Sequence, residues 1–211
     1  MKITLPILLS ILLVSTLAPL SPHAFANPSC GDTITTSTTL TGDISGCTFQ
    51  GLVIGADDIV LDCARHTITG TGSGVESGIL LYSVTGVTVK NCNVTGFLIG
   101  INIFGSSNNN LVRNTSNSNI GTGFVLQGTA TGNVLKGNTA MSNSDTGFFL
   151  QGTATGNILT GNTANSNSGY GYEDGTTGSG TAGTDNTYSH DHCKGNDFGA
   201  SHPSGLCKTQ S

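Results

Sequence analysis

The sequence predicts an all-β fold, a single solenoid of stacked parallel strands, and three observations carry that prediction. A segment that starts at Gly123 returns, nearly unchanged, from Gly147. Each copy holds short runs that alternate apolar and polar, such as Val87-Thr88-Val89 and Ile101-Asn102-Ile103. Gly, Asn, Ser and Thr separate these runs, and no helix-period stretch follows Ala26. That is strand chemistry punctuated by turns.

The repeat is explicit. Gly123-Phe124-Val125-Leu126-Gln127-Gly128 recurs as Gly147-Phe148-Phe149-Leu150-Gln151-Gly152, and Gly137-Asn138-Thr139-Ala140 recurs as Gly161-Asn162-Thr163-Ala164. Upstream, Gly100-Ile101-Asn102-Ile103 answers the Gly123 copy at a slightly shorter step, and Gly78-Ile79-Leu80-Leu81 answers Gly100 at a shorter one again. One such unit cannot bury its apolar face without its neighbours, so the units stack. Stacked in register, coils lie about 4.8 Å apart and equivalent residues form columns. A hexapeptide-based period of roughly 18 residues would mark a left-handed triangular helix; the longer period points to the right-handed form. From Gly51 to Asn196 there is room for about six coils of 22–24 residues.

The columns follow from the repeat. Ile101, Phe124, Phe148 and Tyr172 form one interior stack, and Ile103, Leu126 and Leu150 a second. Asn102, Val125, Phe149 and Glu173 alternate with them and face outward. Asn114, Asn138 and Asn162 suit a turn ladder, because Asn tolerates left-handed backbone and its amide can bond the next coil.

Four segments result. Residues 1–26 read as a removable export signal: Lys2, an apolar run from Ile7 to Val14, then Ala24-Phe25-Ala26 as a cleavage pattern. The run is too short to span a bilayer, so no membrane span remains after cleavage. Residues 27–50 read as an N-terminal cap, 51–180 as the repeats, and 181–211 as the last coil and C-terminal cap. The six cysteines, Cys30, Cys47, Cys63, Cys92, Cys193 and Cys207, all follow the signal, as disulfides in a secreted or periplasmic chain would. Short loops near each end favour Cys30–Cys47 and Cys193–Cys207, leaving Cys63–Cys92, although spacing alone does not choose among the pairings.

Charge excludes one class of partner. Only 9% of residues are charged, against about 25% in an ordinary globular protein. Beyond Lys2 there are 6 basic and 12 acidic groups, too few cations to neutralise a nucleic-acid backbone. The apolar 36% is periodically placed, which a disordered chain does not do.

Gly51-Leu52-Val53-Ile54-Gly55-Ala56-Asp57-Asp58-Ile59-Val60-Leu61-Asp62, His66-Thr67-Ile68-Thr69-Gly70, Val87-Thr88-Val89-Lys90-Asn91 and Asn93-Val94-Thr95-Gly96-Phe97 resemble right-handed parallel β-helix repeats. The similarity is to the pectate-lyase-like superfamily, in particular its NosD-like branch of carbohydrate-binding and sugar-hydrolase repeat domains. It covers about residues 50–196. It implies a β-helix and a carbohydrate partner, but these repeats serve lyases, epimerases, hydrolases and non-catalytic modules alike.

Three constellations are candidates for chemistry. Lys90, Arg113 and Lys136 are evenly spaced, one per repeat, with Asp62 one coil earlier. Like charges stacked along a face invite an anionic ligand such as a uronate polymer. Phe149, between Asn and Glu173 in the outward column, offers an aromatic face for a sugar ring. His190 and His192, with His202 as a third donor, could hold copper or zinc.

Catalytic signatures are absent: there is no Asn-Thr-Asp or Gly-Asp-Asp pair of polygalacturonase type and no Asp-Pro-His-Glu epimerase motif. Asp62 with Lys90 is the nearest approach to a base beside a cation, a role calcium would otherwise fill. Thr129-Ala130-Thr131 and Thr153-Ala154-Thr155 align with Gly105-Ser106-Ser107-Asn108-Asn109, a turn, so they make no flat Thr plane for ice. The function expected is non-catalytic binding of a polysaccharide or cell-surface glycan. The alternatives are a small lyase or epimerase acting on uronates and a structural or adhesive surface protein.

Overall fold

The computed structural model describes residues 27–74 and 76–209; the segment read as an export signal lies outside them. Alternating runs bounded by Gly and Asn become strands of two to six residues, joined by turns into three parallel sheets of eight, seven and eight strands. Each turn of the chain contributes one strand to each sheet. We number the rungs by their strand in sheet 1: Thr33–Ile34 (rung 1), Leu52–Ile54 (2), Ser77–Tyr82 (3), Ile99–Phe104 (4), Thr122–Gln127 (5), Phe148–Leu150 (6), Tyr170–Asp174 (7) and Gly199–His202 (8). The result is a β-solenoid about 34 Å along sheet 1 at that strand spacing. The repeats from Gly51 onward supply six complete rungs.

The winding extends past the expected repeat region at the N-terminal end, and residues 181–209 complete the last full rung and add two further strands. Residues 27–50 place Thr33–Ile34, Thr38–Thr39 and Ile44–Cys47 in the three sheets, so the N-terminal cap is itself a rung. After rung 7, Gly199–His202 and Lys208–Thr209 add a last strand to sheets 1 and 3. One 3-10 turn, Thr181–Gly183, is the only helical segment among the described residues. No helix there is long and apolar enough to cross a membrane.

The interior is a set of columns. Ile79, Ile101, Phe124, Phe148 and Tyr172 pair in register and are fully buried. Their rings stack at 4.7 and 4.8 Å with interplanar angles of 7° and 6°, a spacing dictated by the strand ladder. Leu81, Ile103, Leu126 and Leu150 make the second column, which ends at Asp174. Opposite, sheet 3 turns small residues inward, Ser116, Ala140 and Ala164, because sheet 1 presents bare backbone there. A Cβ on Gly100 would collide with Ser116 Oγ and one on Gly123 would press on Ala140 Cβ.

Three buried asparagine ladders close the corners. Asn114, Asn138 and Asn162 form the expected one; Asn109, Asn133, Asn157 and Asn186 form a second; Asn119, Asn143, Asn167 and Asn196 form a third. Asn138 typifies them. Its Oδ1 accepts from the Asn114 N–H (2.9 Å) and Nδ2 (3.1 Å), while its Nδ2 donates to Leu111 O (2.9 Å) and Asn162 Oδ1 (3.1 Å). The left-handed residue is the one before each ladder position, Arg113, Gly137 and Gly161, and not the asparagine. Asn is used here because an amide both donates and accepts across a dry corner, so each rung's side chain is paired to the rung on either side.

The disulfides are Cys30–Cys47, Cys63–Cys92 and Cys193–Cys207.

Candidate functional site

Strand alternation that sends Phe124 and Leu126 inward sends their neighbours to the outer face of sheet 1. The outward column runs Val53, Leu80, Asn102, Val125, Phe149, Glu173, His202. A shallow groove of about 190 Å³ lies over Val125 and Phe149, with Leu98 and Asp145 on one side and Gln127 and Gln151 on the other. Gly121 keeps the Leu98 side close, since a Cβ there would strike the Leu98 carbonyl.

The groove walls are ordered by hydrogen bonds that run along the solenoid. Gln151 Nε2 donates to Gln127 Oε1 (3.0 Å), and Gln127 Nε2 to Asn102 Oδ1 (3.1 Å). On the other side Thr122 Oγ1 donates to Asp145 Oδ2 (3.2 Å), and Thr146 Oγ1 lies 3.5 Å from Asp145 Oδ1 and 3.2 Å from Glu173 Oε2. Two carboxylates thus meet at one threonine hydroxyl.

Aromatic platforms flank the groove. Tyr82 and Phe104, 57% and 40% exposed, stack with centroids 5.5 Å apart. Near the C-terminal end Tyr170 meets Phe198 edge-on at 5.9 Å and His202 face-on at 5.6 Å, and Phe198 is 71% exposed. Tyr82, Phe104, Tyr170, Phe198 and Asp145 were missed from sequence. The register signal was available for two of them, since Tyr82 and Phe104 directly follow Leu81 and Ile103, which occupy one interior column.

Phe149 and Glu173 lie on this face, but Phe149 is half-buried in the groove, not free-standing. The basic candidates lie elsewhere, on sheet 2 and its corner, and do not form one column. The register runs Asp62, Lys90, Val112, Lys136, Thr160. Successive rungs are 22 and then 24 residues long there. An even step from Lys90 to Lys136 therefore lands on Arg113, one residue into the turn, with φ 54°. Lys90 Nζ pairs with Asp62 Oδ2 at 3.2 Å. Burial works to raise the Asp62 pKa, but hydrogen bonds from Asn91 and the Ala64 N–H, with the Lys90 ammonium, hold it below the usual carboxylate value. This is an ion pair that orders a turn, not a free base beside a cation.

The three-histidine metal site does not assemble. His190 sits in a turn at φ 58°, which breaks the strand alternation that would have aligned it with His192. His192 lies on sheet 3, and His202 stacks on Tyr170 in sheet 1. No group of three His, Cys, Asp or Glu side chains among the described residues is placed to hold a metal.

Comparison with known proteins agrees with this geometry. Residues 32–193 match the family described as right handed beta helix region. No match was found among curated proteins. The solved periplasmic alginate epimerase AlgG is similar at TM-score 0.55 and 22% identity, over 70% of this chain and 32% of that one. The catalytic domain of a GH87 α-1,3-glucanase in complex with nigerose is similar at TM-score 0.54 and 20% identity, over 80% of this chain and 34% of that one. The chain therefore spans about a third of each of these proteins, and at such identities the likeness is one of fold. With the family match over most of its length and three parallel sheets wound rung upon rung, the chain belongs to the right-handed β-helix family.

Proposed function

We propose that the outer face of sheet 1 binds an extended glycan without chemically altering it. The observation that carries this reading is the run of aromatic and amide side chains on that one face: Tyr82 and Phe104 at one end, Phe149 in the groove, Tyr170 and Phe198 at the other. Sugar rings pack their C–H faces on aromatic rings, and amides such as Gln127 and Gln151 both donate to and accept from hydroxyls. The two platforms are about four rungs apart along the axis, about 19 Å at the strand spacing, and stand at opposite ends of the strands, Phe104 three residues after the interior column and Tyr170 two before it. A glycan that meets both therefore crosses the face obliquely and is longer than four sugars at roughly one rung spacing per sugar. Both solved proteins of similar fold are named for polysaccharides, alginate and an α-1,3-glucan; this support is at the level of fold. Three disulfides fit a secreted or periplasmic setting.

A second reading, a glycan-modifying enzyme, is favoured by one feature, the Asp145 and Glu173 carboxylates at Thr146. One experiment separates the two. The mature protein is incubated with alginate, polygalacturonate and a neutral glucan, with and without calcium, while pull-down, reducing ends and unsaturated-product absorbance are followed. Retention without product is the expected result. Product formation that is lost in Asp145→Asn or Glu173→Gln would replace the binding reading with the enzymatic one.

A further inference from the structure

On a different face, we propose a second site, at the corner between sheets 2 and 3, that takes the acidic group of a glycan, with Arg65 and Arg113 as its anchors. Rung 2 has a longer turn here than its neighbours. Four residues separate Asp62 from Thr67, where two separate Lys90 from Asn93. The extra length carries Arg65 out beside rungs 3 and 4. An open cleft of about 280 Å³ results, lined by Arg65, Asn91, Asn93, Arg113 and Thr115.

Its chemistry is one-sided. Two guanidinium groups, two amides and a hydroxyl line it, and no carboxylate does. Among the described residues neither arginine has a salt bridge. The nearby acids are already engaged, Asp62 with Lys90 and Asn91 and Asp43 with His66. Lys90 and exposed Lys136 flank the same edge, so four of the six basic residues beyond Lys2 gather here in an otherwise acidic chain.

The backbone places the two side chains. Arg65 and Arg113 both adopt positive φ, 71° and 54°, whereas Gly137 and Gly161 hold the Arg113 position in the next two rungs. Asn91 holds the same turn in the preceding rung at φ 55°; Arg113 accepts this left-handed conformation and so sets its guanidinium on the cleft. A planar guanidinium with a fork of N–H donors suits a two- or three-oxygen anion, a uronate carboxylate or a sulfate ester. Two guanidinium groups over a small cleft suit an acid borne on a sugar better than a continuous phosphate backbone, which needs a longer basic track.

The test is titration of the mature protein with polygalacturonate, dextran sulfate, neutral dextran and a single-stranded oligonucleotide at low and physiological salt. The paired variant Arg65→Asn/Arg113→Asn is compared with Lys194→Asn/Lys208→Asn, which removes the same charge elsewhere. Asparagine is tolerated at positive φ, so the turns are kept, and unchanged thermal melting verifies this. Expected is binding of polygalacturonate or dextran sulfate, weakened at least tenfold in the arginine variant and less than twofold in the lysine variant; whichever polymer binds identifies carboxylate or sulfate. Equal losses in both variants, absence of binding to either acidic polymer, or tighter arginine-dependent binding of the oligonucleotide would overturn the proposal.

Discussion

Rungs 2 and 3 and rungs 4 to 7 belong to the same three sheets, yet their corners are closed by different chemistry. In rung 3 the three corner positions are Val87, Cys92 and Phe97, all buried. One rung later the same positions are Asn109, Asn114 and Asn119, whose amides accept the rung 3 backbone N–H groups at 2.9, 3.1 and 3.1 Å. From there the corners stay polar to the end, where Asn186, Asp191 and Asn196 hold them. The early rungs thus rely on side-chain volume and on Cys63–Cys92, which occupies the column the amides later take over. The later rungs carry Ala130, Ala140, Ala154 and Ala164 inside and make up for lost volume with hydrogen bonds. Apolar packing and amide ladders are interchangeable closures for one backbone, and the ladder is the more exacting, since every member depends on the next.

That contrast can be broken most severely at Asn138. Asn138→Ala leaves the Asn114 N–H without a partner in a dry corner and removes three further hydrogen bonds, from Asn114 Nδ2, which keeps Val89 O, and to Leu111 O and Asn162 Oδ1. With about 1–3 kcal/mol for the orphaned group and about 1 kcal/mol for each other bond, a loss of about 4 kcal/mol is expected in urea unfolding followed by circular dichroism. In the early rungs the matching change is Cys63→Ser/Cys92→Ser, which frees a loop of 29 residues and is expected to cost about 3 kcal/mol. Hydrogen exchange separates the two: the disulfide variant opens rungs 2 and 3 first, and the asparagine variant opens rungs 4 to 6.

A smaller effect, of opposite sign, belongs to the ladder's last member. Asp191 stands where the pattern calls for asparagine, its Oδ1 accepting from the Asn162 N–H (2.7 Å) and Nδ2 (2.9 Å). Burial raises its carboxyl from 3.8 to about 6, against hydrogen bonds from Asn162 and the Ser189 N–H that favour the charge. The folded pKa lies above the unfolded one. The stabilising contribution is therefore complete below about pH 3.8 and is lost as pH rises through 6, by about 3 kcal/mol at most. Asp191→Asn should remove this slope and raise the melting temperature at pH 7.5, with little gain at pH 4. An unchanged pH profile would show that the carboxyl ionises without penalty.

The smallest expected effects are on binding. Tyr82 and Phe104 stand where the two closures meet, and Tyr170 and Phe198 at the far end, so the face proposed for glycan spans the amide-laddered rungs. Phe149→Ala should weaken glycan retention about tenfold, or about 1.4 kcal/mol, while thermal stability changes little because that ring is only half-buried.

The interior was legible in the sequence because it repeats. Phe124, Phe148 and Tyr172 mark one column and Leu126 and Leu150 another at a constant step, and burial imposes the same chemistry on each rung. The outer faces were less legible, since nothing forces outward residues to repeat. Lys90, Arg113 and Lys136 looked columnar because they are evenly spaced, but rung lengths of 22 and 24 displace Arg113 into a turn. The Asn109 and Asn119 ladders escaped notice because Asn is common in turns for other reasons, so a corner amide and a turn residue look alike. Arg65 carried no periodic signal, being the product of a two-residue insertion.

The most direct test of the proposed glycan-binding face is affinity electrophoresis of the protein through gels containing alginate, polygalacturonate or a neutral glucan, beside the Tyr82→Ala/Phe104→Ala variant. Retardation by at least one polymer, abolished in the variant while its melting temperature is kept, is the expected result. No retardation by any of the three, or equal retardation of both proteins, would contradict a glycan site on the aromatic face of sheet 1.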